Sequence, residues 1–324
     1  MKWRAVVSSF GIALAVPTGA SAAGVPVGPV QGGAGIGVAG SAIRFVARSA
    51  GRHTVVKQLA TRPWGGQPTI RLSGRWGVPG ADVNGSTTGL SADGRTLVLE
   101  QATTAFPVRT TRLLDLGTRP LALRKTIVLP GWSTVDAISP DGRWMYIIHY
   151  SSSNVSKYEV LAYDMALGRL IAKPIVDPRD RGEAMTGVPV SRVLSPDGRW
   201  AYTLYVRPSG VPFVHALDTI GRRAVCIDLP SLRAIDVSGD TLRLGPRVTS
   251  LQVTFGDTVQ SVINTRTFGV RSHVAAVAPA SRRAPMQDQH SGGGGVPWEL
   301  VLAPIAVLVA LGVGAWRLPK LRAT

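Results

Sequence analysis

The sequence has few of the residues that form disulfide bonds or act as pairs of catalytic carboxylates. It has one cysteine, Cys226, and glutamate only at positions 100, 159, 183 and 299. A single cysteine cannot form an internal disulfide, so packing and strand pairing must hold the fold together. Its place in the apolar segment Ala224–Leu229 is typical of a small buried hydrophobe. The scarcity of glutamate limits schemes that need two acting carboxylates.

Familiar catalytic patterns are also missing. The five histidines show neither H-x-x-x-H nor H-E-x-x-H spacing, which would place two metal ligands on one helical face. There is no G-x-S-x-G nucleophile elbow and no glycine-rich phosphate loop ahead of a helix. The sequence therefore predicts no catalytic residue, no metal ligand and no cofactor.

Positive charge is abundant but scattered. The formal net charge is +17, yet basic residues never form a run of five, and aromatic residues make up only 6% of the chain. A nucleic-acid platform combines clustered basic residues with rings that stack on bases. We therefore expect no nucleic-acid partner.

The N-terminus has the pattern of a secretory signal peptide over residues 1–22. Lys2 and Arg4 precede an uncharged apolar run, and the small residues Ala20-Ser21-Ala22 follow a helix break. An uncleaved anchor is the alternative, but the apolar run is short for a bilayer.

The C-terminal region predicts one membrane helix over 298–318. The stretch Leu300–Trp316 carries no charge, and Trp298 and Trp316 stand where amphipathic rings favour the two membrane interfaces. The basic residues that follow favour a cytoplasmic tail over 319–324, and the glycine-rich segment 280–297 reads as a flexible linker. A buried core helix is the alternative. The prediction is a cell-membrane protein with one span and most of its mass outside the cytoplasm.

Between the ends, three segments align without gaps: Leu90–Leu99, Ile138–Ile147 and Leu194–Thr203. Each contains Ser, then Ala or Pro, then Asp-Gly-Arg, and continues into aromatic or branched residues. Asp bonds back to the backbone and Gly accepts a positive φ, so the motif predicts a hairpin turn that leads into a strand.

A second aspartate follows each motif at a similar distance, and each is predicted to begin a turn into another strand. These aspartates, Asp115, Asp164 and Asp218, lie 22, 23 and 21 residues after Asp93, Asp141 and Asp197. Two hairpins per unit make four strands, and the units start 48 and 56 residues apart. That spacing is typical of a propeller blade.

These motifs resemble the YVTN and TolB type of β-propeller repeat, which is WD40-like, over roughly Ala42 to Val270. The resemblance implies an all-β propeller of five four-stranded blades over 42–279, after a Gly/Val-rich segment over 23–41. The first unit would turn at Gly51-Arg52, and the last would use Asp240 and Asn264. Six blades would follow if the diverged region Gly24–Gly40 or the terminal strands form another one. A β-sandwich is the alternative fold.

Loops on the side opposite the Asp-Gly turns are long and polar, and recognition usually resides in such loops. They favour a binding or scaffolding module for a protein, glycan or other polar ligand. The alternatives are solvated loops held by their own ion pairs, and a hydrolase or lactonase, which propellers of similar repeat type include. The candidate ligand-binding residues are Trp76, Asp82, Asn84, Trp132, Asn154, Lys157, Asp177, Arg179, Asp180, Arg181, Glu183 and Arg207.

Overall fold

The structure is a computed structural model that describes residues 27–60, 66–103, 108–150, 157–180, 185–207, 210–232 and 239–272. Within them, strands form five four-stranded antiparallel sheets, each made from four strands that follow one another in the sequence. We call these sheets blades 1 to 5 in chain order. The arrangement agrees with the predicted all-β propeller of about five blades, and no sixth sheet occurs in the described ranges.

The strands are numbered in chain order. Those of blades 1 and 2 are β1 (Ile36–Gly37), β2 (Ile43–Ala50), β3 (His53–Ala60), β4 (Thr69–Ser73), β5 (Trp76–Gly77), β6 (Thr96–Gln101), β7 (Thr110–Thr118) and β8 (Leu121–Pro130). Those of blades 3 to 5 are β9 (Trp132–Ile138), β10 (Trp144–Tyr150), β11 (Glu159–Asp164), β12 (Arg169–Ile171), β13 (Val188–Leu194), β14 (Trp200–Val206), β15 (Phe213–Asp218), β16 (Arg223–Asp228), β17 (Thr241–Leu244), β18 (Ser250–Phe255), β19 (Thr258–Asn264) and β20 (Val270–Ser272). Short 3₁₀ turns lie at Pro178–Asp180 and Pro246–Val248.

No helix among these residues is long and apolar enough to cross a membrane. The signal peptide (1–22), linker (280–297), membrane helix (298–318) and tail (319–324) that the sequence predicts all lie outside the described residues. They remain predictions.

The middle strands of blades 2, 3 and 4 are largely buried on both faces. All six residues of β15 are buried, and so are the first five of β6, whereas β8 at the edge of its blade is largely exposed. Hydrophobic clusters join blade 1 to blade 2, blade 2 to blade 3, blade 3 to blade 4 and blade 4 to blade 5. Because neighbouring blades cover both faces, these strands read as continuous apolar runs instead of alternating patterns.

The Asp-Gly-Arg motifs form the predicted turn between the first two strands of blades 2, 3 and 4. In blade 3, Asp141 Oδ1 accepts hydrogen bonds from the Ser139 hydroxyl at 2.6 Å and from the Arg143 N–H at 3.0 Å. The Ser139 hydroxyl also accepts the Trp144 N–H at 2.9 Å. Gly142 has a φ of 73°, as the turn requires. The aspartate is therefore a turn former in each of these blades.

The second aspartate behaves as predicted in two of the three units. Asp164 and Asp218 end the third strand and accept N–H bonds from the turn that follows, and Asn264 does the same in blade 5. Asp115 does not, so that prediction is wrong. It lies inside β7 opposite Val98, and Gly117 occupies the position opposite Thr96 that corresponds to the turn aspartates.

The positions predicted for two further turns differ from those in the structure. Asp240 directly precedes β17, and the first hairpin of blade 5 turns at residues 245–249, so Asp240 is not a hairpin aspartate. In blade 1, Gly51-Arg52 joins the second and third strands instead of the first and second. The first strand, β1, lies within 23–41, so the sheet begins ahead of residue 42.

A buried ion pair links the innermost strands of blades 3 and 4. Arg192 on β13 donates to the side chain and to the carbonyl of Asp136 on β9. Their side chains are 3% and 2% exposed. Arg192 Nε also donates to the Thr203 hydroxyl at 2.9 Å. Such a pair is strongly desolvated, so the loss of one partner would leave the other buried without a counter-charge.

An insertion in the first strand of blade 2, residues 79–88, reaches the same region. The Val83 N–H donates to the Pro189 carbonyl at 3.0 Å. The Thr88 hydroxyl donates to the Asp136 carbonyl at 3.1 Å. On the far side, the Leu242 N–H of blade 5 donates to the Ser191 hydroxyl at 2.9 Å. Blades 2 to 5 therefore meet around β13 through direct hydrogen bonds.

Removing one partner of the ion pair should destabilise the fold strongly. We expect Arg192→Met to lower the free energy of unfolding by about 3–5 kcal/mol, because Asp136 is left buried and unpaired. Urea denaturation of the full chain measures this. Arg271→Ala, at an exposed position on β20, should change it by less than about 0.5 kcal/mol. Adding Asp136→Leu to Arg192→Met should recover most of the loss, and a double variant as unstable as the single one would contradict this account.

Substitution by alanine should be more destabilising at Gly142 than at Gly168, which has a similar φ. A Cβ at Gly142 would lie 2.3 Å from the Thr96 hydroxyl oxygen, whereas one at Gly168 (φ 69°) would meet only the Tyr163 hydroxyl at 3.8 Å. Gly168→Ala should cost about 1–2 kcal/mol from the left-handed conformation alone. Gly142→Ala should cost clearly more, since Thr96 must also move. Equal denaturation midpoints for the two variants would show that blades 2 and 3 are not in close contact at this turn.

Candidate functional site

The order of the strands defines two faces. The turns between first and second strands and between third and fourth strands lie at one end of each antiparallel blade, which we call the turn face. The loops between second and third strands and the connections to the next blade lie at the other end, which we call the loop face. Loops on a rigid scaffold are the usual place for recognition.

A cavity of about 260 Å³ lies at the loop face between blades 2 and 3. The end of β6, the start of β7 and the start of β9 surround it. The residues that give it its chemistry are Glu100, Thr110, Thr111, Arg112, Trp132 and Ser133.

Glu100 is the buried acid of this cavity, with 5% of its surface exposed. Glu100 directly follows the apolar residues Leu97-Val98-Leu99, which pack between neighbouring blades. Its Oε2 accepts a hydrogen bond from the Thr134 hydroxyl at 3.0 Å. Burial raises the pKa of Glu100 to about 8, against the lowering effect of hydrogen bonds from Thr134 and the Val135 N–H. At neutral pH this carboxyl group is mostly protonated, so it can donate as well as accept a hydrogen bond.

Ser133 is a second polar residue of the lining, and its side chain contacts His149. They face each other across β9 and β10, and the Ser133 hydroxyl lies 3.0 Å from His149 Nδ1. The Ser133 N–H donates to the Thr111 hydroxyl at 2.8 Å, and that hydroxyl donates to the Gly131 carbonyl at 3.1 Å. The wall is thus held in place by hydrogen bonds between blades 2 and 3.

Trp132, the first residue of β9, is the aromatic member of the lining. Its ring centroid lies 5.5 Å from that of Tyr150, with an interplanar angle of 48°. Tyr150 in turn contacts Tyr158 of the same blade, and Tyr158 stacks near Tyr205 of blade 4. The Trp132 ring therefore packs against Tyr150, the first of three tyrosines that contact one another in turn.

Among the candidate residues that the structure describes, Trp132 is the one that lines this cavity. Trp76 and Asp82 are buried, at 6% and 1% exposure, and not displayed on a loop. The Asn84 side chain donates to the Val190 carbonyl at 2.6 Å and helps to join blades 2 and 4. Lys157 is exposed two residues ahead of β11. Asn154, Arg181 and Glu183 lie outside the described residues.

Asp177 and Arg179 bind one another and the edge of blade 4. Arg179 Nη2 donates to Asp177 Oδ2 and to the Cys226 carbonyl, both at 2.6 Å, and the Cys226 N–H donates to Asp177 Oδ2 at 2.8 Å. Burial alone would raise the pKa of Asp177, but the bonds from Arg179 and Cys226 hold it at about 2. These two residues match the alternative of a loop held by its own ion pairs.

Asp177, Asp180 and Cys226 bring ligand-type atoms within 4.8 Å of one another. The arrangement does not suit a cation, because Asp177 is already occupied by Arg179. Burial, with a hydrogen bond to Asp180, raises the pKa of the Cys226 thiol to about 12, and a protonated thiol is a poor metal ligand. Arg207 is likewise engaged: its guanidinium lies 4.0 Å from the centroid of the Phe213 ring.

No protein-family model matches the chain, and no curated protein matches it. Among solved structures, it is similar to hydrazine synthase from Kuenenia stuttgartiensis, with 14% identity, covering 81% of this chain and 69% of that one, at a TM-score of 0.43. It is similar to TolB from Acinetobacter baumannii, with 13% identity over 69% of this chain and 49% of that one, at a TM-score of 0.38. It is also similar to Sqt1 from Chaetomium thermophilum in complex with the N-terminus of ribosomal protein L10, with 14% identity over 70% of this chain and 57% of that one, at a TM-score of 0.40. Likenesses this distant identify neither a family nor a ligand.

Glu100 should make the stability of the protein depend on pH. Its pKa is about 8 in the folded state and near 4.5 without burial. The folded protein therefore keeps a proton that the unfolded chain loses, so the free energy of unfolding falls as the pH rises through this window and levels off above pH 8. Glu100→Gln should remove this fall, which amounts to up to about 5 kcal/mol at about 1.4 kcal/mol per pKa unit.

Denaturation of the full chain at a series of pH values measures the effect. Glu159→Gln, at an exposed position on β11, is the matched control and should leave the wild-type slope unchanged. A Glu100→Gln variant with the wild-type slope would show that the carboxyl is ionised at neutral pH.

Proposed function

We propose that this protein is a β-propeller binding module, exported and held at the cell membrane by one C-terminal helix. In this proposal it takes a small polar ligand in the loop-face cavity between blades 2 and 3. The cavity carries the proposal, because it combines a buried carboxyl group, hydroxyl groups and an indole ring on a rigid frame. The membrane anchor rests on the sequence pattern of 298–318 alone, and export rests on that of 1–22.

A scaffolding role for a larger partner would use the same face. Strand β6 beside the cavity is packed between neighbouring blades, so the residues at its end hold a fixed position. The residues 177 and 179 contribute to holding that surface, since they tie the connection between blades 3 and 4 to β16.

A hydrolase is the second candidate, and the Ser133–His149 contact is the observation that favours it. Nucleophilic catalysis needs a serine within reach of a base, and 3.0 Å satisfies that. Against it, Ser133 is only 1% exposed and the pair is a cross-strand neighbour contact. In the described part of the chain no hydrogen bond joins His149 Nε2 to a carboxylate that would orient the ring. Binding is therefore the better-supported function.

Equilibrium dialysis tests the binding function without assuming a ligand. The full chain is dialysed against the small-molecule fraction of a bacterial extract, and retained compounds are identified by mass spectrometry. We expect Trp132→Ala to retain its compound about tenfold less than the wild type, since an aromatic contact contributes about 0.5–1.5 kcal/mol beyond the area it buries and about 1.4 kcal/mol is tenfold in affinity.

Phe255→Ala is the matched control, because Phe255 is an aromatic residue with 56% exposure away from the cavity. It should retain the compound as the wild type does. Equal retention by wild type and Trp132→Ala, or no retention by either, would exclude this cavity as the binding site. Conversion of the retained compound by the wild type but not by Ser133→Ala would favour the hydrolase.

A further inference from the structure

A second cavity, of about 150 Å³, lies at the turn face between blades 1 and 2. Blade 1 contributes the turn between β1 and β2, and blade 2 contributes the turn ahead of β6 and the turn between β7 and β8. The two cavities have no described residue in common. The turn-face cavity is therefore a separate site, independent of the proposed function.

One part of the turn-face cavity is apolar. Phe45 and Leu90 line it and belong to the hydrophobic cluster that joins blades 1 and 2. Val38 and Ile43, which also line it, are half-buried and pack against the same cluster. The fold thus holds an aliphatic wall that a ligand can cover, and covering it with another apolar group removes that surface from water.

Hydrogen-bond donors line the same cavity. Arg119 is exposed in the turn between β7 and β8, and its guanidinium has no hydrogen bond or ion pair with any residue that the structure describes. The Ser41 hydroxyl accepts the Ile43 N–H at 3.1 Å and keeps its own proton to donate. The side-chain amide of Gln58 adds a further donor. A guanidinium with neutral donors beside it suits a carboxylate.

Asp93 is the acidic residue of the lining. Its Oδ1 accepts the Ser91 hydroxyl at 2.6 Å and the Arg95 N–H at 2.9 Å, which are the bonds of the turn. Its Oδ2 accepts no hydrogen bond within the described ranges, and the residue is exposed. Asp93 and Arg119 line one small cavity without forming an ion pair with each other. A ligand that carries both an ammonium and a carboxylate group would pair with both residues.

The volume of the turn-face cavity limits the size of the ligand. About 150 Å³ corresponds to about five water molecules at roughly 30 Å³ each. It is well below the roughly 300–1,000 Å³ of pockets that enclose drug-sized ligands. The ligand is therefore a small molecule with one short aliphatic group.

We infer that the turn-face cavity binds a free aliphatic α-amino acid of the size of valine or leucine. Its carboxylate pairs with Arg119, and its ammonium group pairs with Asp93. Its side chain packs on Val38 and Ile43. An aliphatic carboxylic acid, which needs Arg119 but not Asp93, and an aliphatic amine, which needs Asp93 but not Arg119, are the competing classes.

Calorimetric titration of the full chain near neutral pH tests this inference. The probes are leucine, isoleucine and valine. The comparison ligands are glycine, which lacks the side chain, 4-methylpentanoate, which lacks the ammonium group, and isoamylamine, which lacks the carboxylate. We expect at least one probe to bind with a Kd of about 1 mM or below. Each comparison ligand should bind at least about tenfold more weakly, because one of the three contacts is missing.

Arg119→Gln should weaken the binding of that amino acid at least about tenfold, because the carboxylate loses a charge-assisted hydrogen bond. Arg95→Gln is the charge-matched control. Arg95 is exposed on the same face but does not line the cavity, so its substitution should leave the affinity unchanged.

Asp93→Asn removes the charge but keeps a side-chain oxygen for the bonds from Ser91 and Arg95. It should weaken binding about tenfold, since the ammonium group loses its counter-charge. Asp141→Asn is the matched control, because Asp141 accepts the same two turn bonds in blade 3 and lies outside the cavity. The two variants should lose similar stability, so a loss of affinity in Asp93→Asn alone reports the contact with the ligand.

Three results would overturn the inference. The first is that none of the three probes binds at tenfold above the millimolar range. The second is that 4-methylpentanoate or isoamylamine binds as tightly as leucine, which would assign the cavity to one of the competing classes. The third is that the control variants lose as much affinity as Arg119→Gln and Asp93→Asn. Because the loop-face cavity takes no part in this test, each of these results leaves the proposed function unaffected.

Discussion

The charge pair between Arg192 and Asp136 is the interaction on which the centre of the fold depends. It joins β13 to β9, and both side chains are almost completely removed from water. Its net contribution to stability is reduced by the cost of desolvating two charges, so its main value is to specify one arrangement. Any slip of β13 relative to β9 would leave a buried charge unpaired. The hydrogen bonds from Thr88 and to Ser191 then fix blades 2 and 5 to the same arrangement.

The contacts that join blades 2 and 3 at this centre also fix the walls of the candidate site. One wall of the cavity belongs to β6 and β7 of blade 2, and the other belongs to β9 of blade 3. Thr88 and Asp136 hold these two blades together at the inner strands, while Thr134 and Glu100 hold them near the cavity. These contacts fix the two walls relative to each other, and a preorganised wall lowers the ordering cost of binding.

Repeated elements could be predicted from the sequence because they obey local rules. The turns at Asp93, Asp141 and Asp197 need only their own side chain and one glycine, so the motif predicts the geometry directly. Asp115 was misassigned because loops between second and third strands differ in length from blade to blade, so sequence distance does not fix the register. Gly117, which has no side chain to signal its role, holds the corresponding position.

The site was harder to predict, because its residues are brought together across blades. The long polar loops drew attention to charged residues such as Asp177 and Arg179, whose charges are satisfied internally. Glu100 sits within an apolar strand, and a carboxyl group that directly follows Leu97-Val98-Leu99 is a sign of burial that could have been used. Ser133 gave no such sign, since its partner His149 is sixteen positions away and meets it only through strand pairing.

The contact of Asp177 and Arg179 with Cys226 also affects how the molecule behaves at high concentration. An outer strand with free N–H and C=O groups is a template on which a strand from another molecule can pair. On β16, side chains already occupy the main-chain N–H and carbonyl of Cys226 near the middle of the strand. An incoming strand would first have to displace a buried carboxylate and its guanidinium partner. This edge is thereby protected against intermolecular β-pairing.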